Sequence, residues 1–137
     1  TRLTFVPEGC GTLGTVLPAP LRVRLWPGKF REPDVVFMLQ ANAARIGEEF
    51  WRGADLVMEV VSDDDRRRDL ETKRREYAQA AIAEYWIVDP RDRRIHVLRL
   101  QDAAYAVHGE FGGGATATSA LLEGLAIEVD SVFPPGV

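Results

Sequence analysis

Asp55-Leu-Val-Met-Glu59-Val-Val-Ser62 is an apolar run with one acid planted in its middle. Every residue from Leu56 to Val61 other than Glu59 is apolar, the pattern of a short strand covered on both faces. Glu59 is therefore expected to point into protein. An ionised carboxylate withdrawn from water costs on the order of several kcal/mol unless a cation, a metal or a set of hydrogen bonds offsets it. A basic, helix-patterned segment carrying Lys73 follows within a few residues, so the sequence itself supplies a candidate partner.

Working outward, 137 residues are expected to make one domain spanning 1–137 around a single core. At 46% hydrophobic and 28% charged residues the chain reads as an ordinary soluble globular protein, not a disordered or fibrous one. The net charge of −4 excludes a generic polyanion binder, yet the basic residues are uneven: Arg66, Arg67, Arg68, Lys73, Arg74 and Arg75 stand against only Asp69 and Glu71 in that stretch. Cys10 is alone, which excludes an internal disulfide. With only His96 and His108 beside it, no zinc-ligand spacing exists. These features favour a cytoplasmic protein. No apolar run approaches the length of a membrane span and no signal-peptide pattern opens the chain. The chain begins at Thr1 in a strand-like stretch, and an N-terminal segment is expected to be missing.

The remaining punctuation predicts a mixed α/β architecture. Leu3–Val6 and the alternating Leu21–Trp26 are strand candidates, and Pro33-Asp34 introduces an apolar strand at Val35–Leu39. Residues 40–53 read as loop or short helix. Ser62 and Asp63 to Asp65 carry N-cap chemistry for a helix over Arg66–Ile82. Strands follow at Glu84–Asp89 and Arg94–Leu100 around a Pro90-Arg-Asp-Arg turn, then a short one at Tyr105–His108. A flexible connection is expected over Phe111–Ala117, and a late strand over Gly124–Asp130 ending near Phe133.

On a helical wheel Tyr77 and Ala81 fall within about 20° of Leu70, with Arg74 about 40° to one side and Lys73 about 60° to the other. Both cations flank the stripe that must face the sheet. Either one can approach Glu59 from the returning helix, or both can snorkel to the rim. Asp34, at the mouth of an apolar strand, is by itself an ordinary turn acid. Paired with Glu59 on a neighbouring strand it suits a hard cation such as Mg²⁺, which takes oxygen ligands and keeps waters for a phosphate.

Four stretches carry a resemblance: Arg31-Glu-Pro-Asp-Val-Val-Phe37, Ala54-Asp-Leu-Val-Met-Glu-Val-Val-Ser62, Arg67-Arg-Asp-Leu-Glu-Thr-Lys-Arg-Arg-Glu-Tyr-Ala78 and Glu84-Tyr-Trp-Ile-Val-Asp-Pro90. In this order and spacing they resemble the bacterial Uma-type restriction endonuclease family of the PD-(D/E)XK nuclease superfamily. The resemblance implies a restriction-endonuclease-like mixed β-sheet with a major helix packed on it and C-terminal antiparallel strands. It also implies an Mg²⁺-dependent DNA endonuclease, with Mn²⁺ as a substitute, in which Asp34, Glu59 and the main-chain carbonyl of Val60 hold the metal. In the most familiar members a lysine stands two residues after the glutamate. Here that position is Val61, and the resemblance assigns the role to Lys73. Lysine can exchange a proton whereas arginine effectively cannot, which favours Lys73 over Arg74. Relatives also carry an acidic residue on an N-terminal helical segment, for which Glu8 in its Gly-rich turn is a poor substitute.

Beside such a site Arg66, Arg67 and Arg74 become candidate contacts to DNA phosphates. Asp63–Glu71 is no calcium loop, since basic residues stand at ligand positions and the turn glycine is absent. Ser62 has no nucleophile signature, and His96, His108, Tyr85 and Trp86 read as strand residues. Two further readings stay open: a non-catalytic relative that keeps Glu59 and Lys73 as an ion pair and serves as a nucleic-acid or protein interaction module, and homodimerisation through exposed strands or the apolar segment Leu121–Phe133.

Overall fold

The computed structural model describes residues 13–61 and 66–133, and the side chains of residues 66–68 fall outside that description. The strand candidate at Leu3–Val6 and the N-cap residues Ser62 to Asp65 lie outside the described residues. In chain order the strands are β1 (Gly14–Pro18), β2 (Val23–Trp26), β3 (Lys29–Arg31), β4 (Val35–Leu39), β5 (Leu56–Val60), β6 (Glu84–Asp89), β7 (Arg94–Gln101), β8 (Ala104–Phe111), β9 (Thr116–Thr118) and β10 (Ala126–Glu128). The helices are α1 (Arg66–Gln79) and a short α2 (Val129–Val132), with a 3₁₀ segment at Gln40–Arg45.

Six strands form one mixed sheet in the order β1-β4-β5-β6-β7-β8. Every neighbouring pair is antiparallel except β5 and β6, which run parallel with Glu59 opposite Ile87. A parallel pair needs a crossover connection, and α1 supplies it. Period-2 alternation then sorts the side chains. Val35, Phe37, Leu56, Met58, Trp86 and Val88 face one way, onto Ala117, Leu122, Leu125, Ile127, Val129 and Phe133 of the C-terminal segment. Val36, Met38, Val57, Tyr85 and Ile87 face the other way, onto Tyr77 of α1, Val23 and Leu25 of β2, and Trp51. The sheet is thus covered on both faces, as the apolar run around Glu59 requires.

The structure departs from the sequence reading in several places, among them the unanticipated β3 and a β8 longer than Tyr105–His108. Gly14–Pro18 pairs with β4 as an edge strand, although its Gly and Pro ends hide it. A Cβ at Gly14 would sit 2.0 Å from the Met38 carbonyl oxygen, so glycine is what lets the strands close. Helix α1 stops at Gln79, short of the expected Ile82, because Ala81 turns left-handed at φ 59°. The Ile82 N–H closes on the Tyr77 carbonyl at 3.1 Å and the Ala81 N–H on that of Ala78 at 3.0 Å. This is a Schellman closure. It exposes Ala81, assigned to the inner stripe by the wheel, and buries Ile82 instead. The connection after β8 contains β9, and the late strand is only Ala126–Glu128 before the chain turns into α2. The apolar segment considered for homodimerisation is spent within this chain's own core through Leu122, Leu125, Ile127, Val129 and Phe133.

Candidate active site

Parity in the sheet decides where the acids go. Glu59 shares the α1 face with Val57, and Asp34 precedes β4 on the same parity as Val36 and Met38. The β4–β5 register sets Val35 against Met58, so one further step sets Asp34 beside Glu59. The Asp34 Oδ2 accepts a hydrogen bond from the Val60 N–H at 2.6 Å, which ties the mouth of β4 to the end of β5. A strand residue's N–H and C=O leave on the same side, so the Val60 carbonyl is directed toward Asp34 as well.

Glu59 is 6% exposed and meets two donors from α1. Tyr77 donates its hydroxyl to Glu59 Oε2 at 2.5 Å, and the Lys73 Nζ lies 3.3 Å from the same oxygen. Lys73 also reaches Asp69 Oδ2 at 3.2 Å, one turn back on the helix. An ammonium has three donors, so one N–H of Lys73 remains outside these two contacts. The α1 face therefore delivers lysine, tyrosine and the buried glutamate to one point. Of the two cations flanking the stripe, Arg74 goes elsewhere: its Nη2 donates to the Tyr105 carbonyl at 3.2 Å on β8.

Burial drives the Glu59 carboxyl above its ordinary range, the Lys73 charge and the Tyr77 hydrogen bond pull it back, and the Asp34 carboxylate pushes it up again. Burial, followed by the Glu59 charge and hydrogen bond, raises the Tyr77 hydroxyl so far that it stays a donor. Tyr85 packs edge-on to Tyr77 with ring centroids 5.0 Å apart. Its hydroxyl is buried with no hydrogen-bond partner among the described residues, and burial together with the Glu59 charge keeps it protonated.

Glu59 Oε1 and Asp34 Oδ1 take no part in the hydrogen bonds and ion pairs among the described residues. Two carboxylates, each with an oxygen to spare, and an adjacent main-chain carbonyl are hard oxygen donors of the kind Mg²⁺ takes. Among the described residues no group of three His, Cys, Asp or Glu side chains gathers to hold a metal, so the fit rests on this mixed set. Arg66 and Arg67 lie in the first turn of α1. His96 Nδ1 meets Glu110 Oε1 at 3.0 Å, and His96 stands two strands from Glu59 in the same row of the sheet, opposite Ile87.

Sequence reasoning counted Tyr77 as part of the inner stripe and overlooked its hydroxyl. The signal was present: a tyrosine on a buried stripe, one turn after Lys73, brings a polar tip that needs a partner in the protein. A second fully buried acid, Glu84, also went unremarked inside Glu84-Tyr-Trp-Ile-Val-Asp89.

A mixed six-stranded sheet with the β5-α1-β6 crossover over its centre is a restriction-endonuclease-like fold. A crystal structure described as a putative nuclease belonging to DUF820, from Anabaena variabilis, matches it with a TM-score of 0.68 at 17% sequence identity, covering 88% of this chain and 68% of that one. The model of the Uma2 family, described as "Putative restriction endonuclease", matches residues 2–130, and the chain belongs to that family. No curated protein matches it. No helix among the described residues is long and apolar enough to cross a membrane.

Proposed function

We propose that this domain is an endonuclease that hydrolyses DNA phosphodiester bonds with a divalent cation, Mg²⁺ or Mn²⁺, held by Asp34, Glu59 and the Val60 carbonyl. The observation that carries the reading is the meeting of Lys73 with a buried carboxylate whose second oxygen has no partner among the described residues, beside an aspartate pinned across β4 and β5. When bound, such an ion supplies Lewis-acid polarisation of a phosphate oxygen and of a water. The protein's own groups do the rest. Asp34 is oriented by the Val60 N–H, and Glu59 is oriented by Tyr77 and Lys73. The remaining N–H of Lys73 can donate to the attacking water or to a non-bridging phosphate oxygen as charge develops there. Arg66 and Arg67, in the first turn of α1, would contact phosphates that flank the scissile bond.

Incubating the protein with supercoiled plasmid and Mg²⁺ or Mn²⁺ tests this. Nicked or linear products are expected, and Glu59→Gln is expected to lower the rate on the order of 10³-fold. Equal cleavage by wild type and Glu59→Gln would remove the proposal and leave a non-catalytic module built on the same ion pair.

A further inference from the structure

The strongest unassigned feature lies on the second, smaller sheet. Strands β2 and β3 form an antiparallel ribbon, with Arg24 opposite Phe30 and Val23 opposite Arg31. Trp51 bridges Val23 in parallel and Ile46 bridges Trp51, which widens the ribbon to a four-segment surface. Val23 and Trp51 point inward and are buried. Alternation therefore turns Arg22, Arg24, Phe50 and Arg52, with Phe30 and the Arg45 that flanks Ile46, to the outside.

The arginines on this face are held but not neutralised. The Arg22 guanidinium sits 4.2 Å from the centre of the Phe30 ring and that of Arg24 sits 5.6 Å from the Phe50 ring, the two rings meeting edge-on at 5.2 Å. A cation–π contact occupies no N–H donor, which leaves the guanidinium fork for phosphate. Among the described residues neither Arg22, Arg24 nor Arg45 has an ion-pair partner, and Arg52 donates only to the Ala44 carbonyl. Glu32, one step beyond the Val23–Arg31 pair and so on the side of Arg22 and Phe30, and Glu48 and Glu49, in the turn between Ile46 and Trp51, are the acids of this face, and all three are exposed.

The opposite side of the ribbon is fastened to the candidate active site. Lys29 and Arg31 bind Glu76 of α1 at 3.3 and 2.6 Å, next to Tyr77 and one turn from Lys73. Three residues after Arg31 comes Asp34.

We infer that this arginine-aromatic face engages the phosphate backbone of duplex DNA, on a ribbon whose other side is tied to the helix that carries Lys73. The inference extends the nuclease reading but rests on its own observations. One side of each ring is already covered by a guanidinium, so the face offers phosphate contact and little room for the base stacking that single strands use. Contacts of this kind are independent of sequence.

The test is fluorescence anisotropy of a labelled duplex in EDTA, over a range of salt, with wild type, Arg22→Gln/Arg24→Gln and, as a control on distant β7, Arg99→Gln. Each lost phosphate contact lowers the slope of log K against log salt by about 0.9. The double variant is expected to lower it by about 2, and Arg99→Gln to leave it unchanged. Circular dichroism confirms that the variants are folded, and Arg45→Gln, which carries no ring contact, serves if the double variant is not. A wild-type slope in folded Arg22→Gln/Arg24→Gln, no duplex binding by wild type at low salt, or stronger binding of a single strand would each overturn the inference. Because binding is read without metal, a failed cleavage assay removes the nuclease reading alone, and an unchanged slope removes only this face.

Discussion

Glu59 and Glu84 are buried glutamates on adjacent, parallel strands, and the protein treats them in opposite ways. Glu84 is fully enclosed on the other face of the sheet, where both oxygens are satisfied by donors. Its Oε1 accepts from the Ala120 and Leu121 N–H groups at 2.7 and 3.0 Å, and its Oε2 from Trp86 Nε1 and the Ser119 hydroxyl at 2.9 and 2.5 Å. That carboxylate is a fastener. It ties the C-terminal segment to the central strands and has no lone pair facing an opening. Among the described residues Glu59 has two donors, both on one oxygen, and a like charge nearby in Asp34. A buried acid whose partners saturate it serves structure, whereas one with an oxygen left over beside a second acid is a candidate cation ligand.

The contrast breaks most visibly on mutation. Glu84→Ala orphans four buried or half-buried donors, each costing about 1 kcal/mol or more when unpaired, and is expected to destabilise the fold by about 4 kcal/mol in urea unfolding. Glu59→Gln should change stability far less while removing cleavage. If both variants unfold alike, the two sites do not differ in kind.

Tyr77→Phe sharpens the comparison by removing the shortest bond to Glu59 while keeping the ring that packs on Tyr85. As a positioning residue it should cost about 10-fold to 100-fold in metal affinity. The loss in stability should be near 1 kcal/mol. Cleavage titrated against Mn²⁺ distinguishes the roles: a shift in the metal dependence marks positioning, whereas a change in stability alone marks packing.

A smaller effect follows from pH. Burial raises the Glu59 carboxyl in the folded, metal-free protein above the ordinary glutamate value of 4.5, so the unfolded chain gives up this proton first as pH rises. The contribution to stability is full below pH 4.5 and is lost as pH climbs through the raised folded value. Glu59→Gln, permanently neutral, should therefore melt above wild type at neutral pH in EDTA, with the gap closing toward pH 4.5. A constant gap across that range, or a variant that melts lower at neutral pH, would show that Lys73 and Tyr77 offset the burial completely.

Much of this contrast is written in the sequence, unevenly. Glu59 stands out because its run is apolar on both sides. Lys73 is legible because its place on the helix brings it to the inner stripe. The wheel alone does not choose between Lys73 and Arg74, since it fixes direction around an axis but not where the helix lies over the sheet; side-chain chemistry favours Lys73, and the Tyr105 carbonyl that takes Arg74 comes from β8, distant in sequence. Glu84 is hidden for a similar reason. Its donors come from Ser119 to Leu121 and no local pattern announces them. The arginine face is concealed by spacing, because its cations come from residues 22 to 52 and meet only when β2 pairs with Trp51.

The most direct test of the central claim is a calorimetric titration of the metal-free protein with Mn²⁺, comparing wild type, Asp34→Asn and Glu59→Gln. Wild type is expected to bind one ion at micromolar to millimolar concentration, and each substitution to abolish the heat. Identical isotherms for wild type and Glu59→Gln, or no binding at all at millimolar Mn²⁺, would show that the half-satisfied carboxylate is an ion-pair partner for Lys73 and nothing more.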